Sequence, residues 1–156
     1  MQNLAYALIA LAAGVLIPVM AALNGGLGRM LGNPIGAALI AVFVAFLGVL
    51  CAALLSGAAQ PALWAPLRQA TPAQLAAGLG MAVYIISITF LAPRFGVGNA
   101  VMFVVGGQII AAAAIDHFGL LGAPRQPISG LRALGLVVMM AGVAIAQLAA
   151  NAQHRA

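Results

Sequence analysis

Asp116 is the only acidic side chain in a chain of 156 residues, and it follows directly on an apolar run from Asn99 to Ile115. A carboxylate at the centre of a bilayer costs about 2.5–3.5 kcal/mol on insertion scales. The run therefore predicts a short membrane-spanning helix with its one acid at the membrane edge. Composition agrees: 65% of the residues are hydrophobic and 4% charged, against about 25% charged in a soluble domain. A soluble fold of this size could not hide so much apolar surface, so the chain reads as an integral membrane protein.

Five runs of spanning length are present, at 4–23, 34–55, 74–91, 99–115 and 130–150. The expected fold class is an all-α membrane protein, a single five-helix transmembrane domain over 1–156. The N-terminal run has no basic segment before it and is long enough to span, so it is read as a retained helix rather than a signal peptide.

Pro18 lies inside the first span and releases the carbonyl of Gly14, which either marks a tolerated kink or needs a polar partner. Asn24-Gly25-Gly26 reads as a turn that closes this span. Pro34 opens the second, where Ala37, Ala41 and Ala45 form a small-residue stripe suited to helix packing. The connector 56–73 holds Trp64, expected as an interfacial anchor, and Arg68; its three prolines argue against a continuous helix. In the third span Gly80, Tyr84 and Ser87 share one face, either lining a pocket or bonding to neighbouring backbone. Thr89 points elsewhere, roughly 200° round from Ser87.

The fourth span is the one around which the others are expected to be arranged. Pro93, Gly96 and Gly98 set it off from the third, and Asn99 is expected as its N-cap. Phe103 shares a face with Asn99. Gln108 is the deep polar residue of the run, and a buried amide needs partners, so it is either interhelical glue or a substrate contact. Asp116 stands at a helix C-terminus, where the dipole disfavours a negative charge. A structural ion pair is expected, with His117, Arg125 and Arg132 as the nearby cations. Gly135, Gly142 and Ala146 in the last span form a stripe read as dimer packing, and Gln147 is its one deep polar residue.

The six arginines fall three to each side of a five-span chain: Arg68, Arg125 and Arg132 against Arg29, Arg94 and Arg155. Positive-inside bias nearly cancels, which predicts insertion in both orientations and makes an antiparallel homodimer possible. Arginines spread one or two per connector do not form a nucleic-acid patch. One carboxylate, one cysteine (Cys51, read as a small buried hydrophobe) and no histidine within a span leave no acid–base pair, activated nucleophile or metal cluster. No enzyme, cofactor or metal is expected.

NGGLGRMLGNP after the first span, PRFGVGNAV before the fourth, and GGQIIAAAAIDHFGLLGAP followed by GLVVMMAGV resemble the small five-helix branch of the drug/metabolite transporter superfamily. The resemblance covers nearly the whole chain. It implies a multi-pass protein of the inner (plasma) membrane that pairs with an inverted copy, a paired homologue or a fused second half. It also implies a substrate site lined by the first four helices, the fifth being peripheral, with Asn24, Gln108 and Asp116 as motif residues. Where the family pattern has Gln in the second half of the first helix, this chain has Met20. The carboxylate that related small multidrug transporters use for proton coupling is absent from the first span, so proton/cationic-drug antiport is not expected.

The leading expectation is a secondary transporter of a small organic solute, working by alternating access as a dual-topology antiparallel homodimer. Its pocket would be lined by Gln108, Tyr84, Ser87, Phe103, Asn24 and Met20, with a neutral or cationic substrate favoured. The competing expectation is a non-transporting assembly subunit of a larger membrane complex. A channel is a weaker third, since no charged ring or carbonyl filter is visible.

Overall fold

The computed structural model describes residues 2–153, which are helical with short connectors and, among the described residues, no strand. Arg155, one of the six arginines in the charge count, lies outside them. The helices are α1 (Gln2–Met30), α2 (Pro34–Ser56), α3 (Pro61–Trp64), α4 (Pro72–Phe95), α5 (Val97–Phe118) and α6 (Gly130–Gln153), with short 3-10 turns at Ala65–Gln69 and Leu120–Gly122. Among the described residues, α1, α2, α4, α5 and α6 are the five helices long and apolar enough to cross a membrane.

The helix ends follow local chemistry. Asn33 caps α2, its Oδ1 accepting from the backbone N–H groups of Ile35 and Gly36 at 3.1 Å each. Pro34 occupies the first turn, where a missing N–H costs nothing. Thr71 and Gln74 form a capping box on α4: the Thr71 hydroxyl accepts from Gln74 N–H at 3.3 Å, and Gln74 Oε1 accepts from Thr71 N–H at 2.8 Å. Gly57 ends α2 and Gly96 ends α4, both at positive φ, which glycine adopts without steric cost. The Ser129 hydroxyl accepts from the N–H of Arg132 at 3.2 Å and caps α6.

Three boundaries differ from the sequence-based expectation. The first helix does not stop at Leu23; it continues through Asn24-Gly25-Gly26 to Met30. Pro93 lies within α4, two residues before its end at Phe95, rather than closing it. Asn99 is the third residue of α5, so it does not cap that helix.

The chain forms two compact units, one reaching to Val97 and the other beginning at Gly98. In the first, α1, α2 and α4 pack against one another. Its core is made of small residues and a short β-branched strip: Ala21, Ala37, Ala38, Ile85, Ile88, Thr89 and Ala92 are all buried. Without a hydrophobic drive between helices in lipid, close van der Waals approach must supply the association, and small residues permit it. Gly25 and Gly28 carry this out. A Cβ added at Gly25 would fall 3.1 Å from Pro93 Cδ and 3.3 Å from Ala92 Cβ. One added at Gly28 would fall 3.4 Å from Thr89 Cγ2 and 3.5 Å from Pro34 Cα. The apparent turn is a helix-packing face. On α2 the alanine stripe packs only at its start: Ala37 is buried, Ala41 half-buried and Ala45 exposed.

In the second unit, α5 and α6 meet through side chains. Met140 reaches over Gly106, its Cε 3.4 Å from where a Cβ would stand. Gln147, 8% exposed, donates to the carbonyl of Asn99 and to Met102 Sδ, each at 3.5 Å. Gly135 and Gly142 are exposed, with nothing within 4 Å of an added Cβ, and Ala146 is half-buried.

Candidate functional site

The polar side chains of the spans fall into two groups, one in each unit. In the first unit, α1 turns Ala21, Asn24, Gly25 and Gly28 toward its neighbours at helical spacing, and α4 turns Ile85, Ile88, Thr89 and Ala92. Asn24 Nδ2, Tyr84 Oη and Thr89 Oγ1 are buried without a hydrogen-bond partner. Leaving a buried polar group unpaired costs about 1–3 kcal/mol, so three such atoms on two helices call for a ligand or ordered water. Two prolines add acceptors to the same helices. Pro18 leaves the Gly14 carbonyl without its helical donor, and Pro93 does the same to Thr89. Thr89 therefore presents both a hydroxyl and a released carbonyl.

The sequence reading turned Thr89 away from the face of Tyr84 and Ser87. Thr89 is 0% exposed, whereas Ser87 is exposed. Ser87 lines a cavity of about 380 Å³ together with Asn33, Ile86, Phe90 and Arg94. Tyr84, Met20 and Asn24 are half-buried, and Met20 and Asn24 share a face of α1.

In the second unit Gln108 is exposed rather than buried. It stands near the middle of the 22-residue α5, the depth at which an unpaired amide costs most in a bilayer. Phe103, 57% exposed, lines a cavity of about 490 Å³ with Gly106, Met140 and Gln147. A second, almost wholly apolar cavity of about 750 Å³ runs past Ile110, Met140 and His117.

At the end of α5 the charges are settled locally. Arg132 Nη2 donates to Asp116 Oδ2 at 2.6 Å, with the two side chains 40% and 33% exposed. Arg125, also offered as the partner of Asp116, instead donates from Nε to the His117 carbonyl at 3.3 Å. His117 Nδ1 accepts from Ile128 N–H at 3.1 Å, which places the proton of a neutral ring on Nε2. The Asp116 carbonyl accepts from Gln126 N–H at 2.7 Å. These bonds fold the α5–α6 connector back on the helix end and give Asp116 a structural occupation. No group of three metal-ligating side chains occurs among the described residues.

Residues 5–145 match the model of a family described as "Putative inner membrane exporter, YdcZ". The chain belongs to this family. The match takes in all five spans but the first residue of the first and the end of the last, so this YdcZ-family chain is a multi-pass inner-membrane protein. No curated protein and no solved structure matches it.

Sequence reasoning named Thr89 and Gln147 without finding what either one packs against. Thr89 was hidden because its burial depends on Gly28 standing opposite. The three-residue spacing of Gly25 and Gly28, one helical face without side chains, was the available sign. Gln147 was legible as a deep amide, but nothing in sequence linked it to Asn99.

Proposed function

We propose that this YdcZ-family protein is a secondary transporter of a small organic solute, working by alternating access, and that two copies in opposite orientation complete its substrate path. The observation that carries the reading is Gln108. An amide exposed near the middle of an apolar span cannot face hydrocarbon at low cost, so another surface covers it, and a second copy supplies one. The open faces of Gly135 and Gly142 allow a close helix partner. Alternating access in many transporters rests on inverted-topology repeats, and an antiparallel dimer provides that symmetry with a single five-helix chain.

The solute contacts of the first unit are Asn24, Tyr84 and Thr89, with Met20 as an apolar wall; those of the second unit are Gln108 and Phe103. The three unpartnered groups are two hydroxyls and an amide, all able to donate. With the lone carboxylate engaged by Arg132, the spans favour a neutral or weakly polar solute bearing hydrogen-bond acceptors. The reading is tested by counterflow of a panel of neutral and cationic organic solutes into liposomes holding the full chain. Uptake that Gln108→Ala abolishes while the dimer persists supports it. Uptake unaffected by that change removes Gln108 from the path, and absence of flux for the whole panel favours the assembly-subunit alternative.

A further inference from the structure

Arg29 and Arg94 line one cavity. It measures about 290 Å³, and its other walls are Gly28, Gly32, Pro34 and Pro93. Each arginine sits in the last turn of a spanning helix, Arg29 in α1 and Arg94 in α4. Both therefore lie at headgroup level. An arginine in a last turn also complements the helix dipole, and Arg94 does so directly: Nη1 donates to the Phe90 carbonyl at 2.9 Å, and the guanidinium lies 3.9 Å over the Phe90 ring. That contact positions it and still leaves most of its five donors unused. The Arg29 side chain has no hydrogen bond or ion pair among the described residues, and their one acidic side chain, Asp116, is held by Arg132. Two guanidiniums thus border one cavity with no carboxylate to neutralise them. Gly28 and Gly32 keep side chains off its wall, Gly32 with a φ of +61° that a larger residue rarely adopts.

We propose that this cavity binds a phosphate-type oxyanion, as presented by the headgroup of an anionic phospholipid. Guanidiniums match phosphate oxygens bidentately and are weakly hydrated. The anionic surface of a membrane would bring that group to the level of both arginines. This inference is independent of the transport reading, since it uses neither Gln108 nor a second copy.

The test uses the full chain in lipid nanodiscs of phosphatidylcholine, of phosphatidylcholine with phosphatidylglycerol, or of phosphatidylcholine with added inorganic phosphate. Thermal unfolding and lipid retention in native mass spectrometry are the readouts. Phosphatidylglycerol is expected to raise the unfolding midpoint and to be retained. Arg29→Gln should lower retention about tenfold, the equivalent of one charge-assisted hydrogen bond, and Arg29→Gln with Arg94→Gln should abolish the preference. Arg68→Gln, in another connector, should leave it intact, and the double Lys variant should keep part of it. Arg29→Gln guards against misfolding, because that side chain makes no bond within the described fold. Stabilisation by inorganic phosphate with the same arginine dependence assigns the cavity to a free anion. A response to neither, or one that survives the double Gln variant, overturns the proposal.

Discussion

Gly25 of α1 lies against Pro93 of α4 so closely that a Cβ there would stand 3.1 Å from the proline Cδ. The proline ring cannot swing away as a long side chain could, so helix crossing in the first unit depends on a missing methyl group. Gly25→Ala is expected to destabilise the fold by about 1–3 kcal/mol, the usual range for overpacking. Gly26→Ala next to it meets nothing within 4 Å and should be neutral or stabilising by up to about 1 kcal/mol through helix propensity. Thermal unfolding of the two variants in one detergent checks the contrast.

Thr89→Val removes a fully buried hydroxyl that has no partner and nearly keeps the side-chain shape. Stability should be unchanged or rise by about 1–2 kcal/mol, since an unpaired polar group is lost. On the transport reading, solute flux should fall at the same time. A clear loss of stability would mean that the hydroxyl has a structural partner.

The Asp116–Arg132 pair is short, at 2.6 Å, but a third or more of each side chain is exposed. Solvent screening limits such pairs to about 0–1 kcal/mol. A double-mutant cycle with Asp116→Asn and Arg132→Gln should give a coupling in that range. Arg125→Gln should show no coupling to Asp116, because its bond goes to the His117 carbonyl.

Gln147 is buried, yet both of its bonds are long, at 3.5 Å. Interhelical side-chain bonds in membranes average about 0.6 kcal/mol. Gln147→Leu should therefore cost less than about 1 kcal/mol in unfolding, whereas Gly106→Leu should cost more, since it drives into the Met140 side chain.

What could be read from sequence follows the range of the physics involved. The spans were legible because runs of about twenty mostly apolar residues carry their own instruction, whereas the one cap expected from sequence, Asn99, lies inside α5. Gly25 was misread because glycine serves equally where the backbone turns and where another helix comes close; only the presence of Pro93 opposite decides. Helix faces were the least legible part. Spans that are apolar all round lack the stripe that orients a soluble helix, so the exposure of Gln108 and Ser87 and the burial of Thr89 could not be had from periodicity. Arg132 was separated from Arg125 only by the fold-back of the α5–α6 connector.

The central claim, two inverted copies forming one transporter, rests on orientation, and the most direct measurement is cysteine accessibility in intact cells. Single cysteines replace Leu31, in the α1–α2 connector, and Gln126, in the α5–α6 connector, on a Cys51→Ala background, and an impermeant thiol reagent is applied from outside. The account predicts that both positions label in comparable fractions. Labelling of one position alone would contradict it and leave this chain with a single orientation.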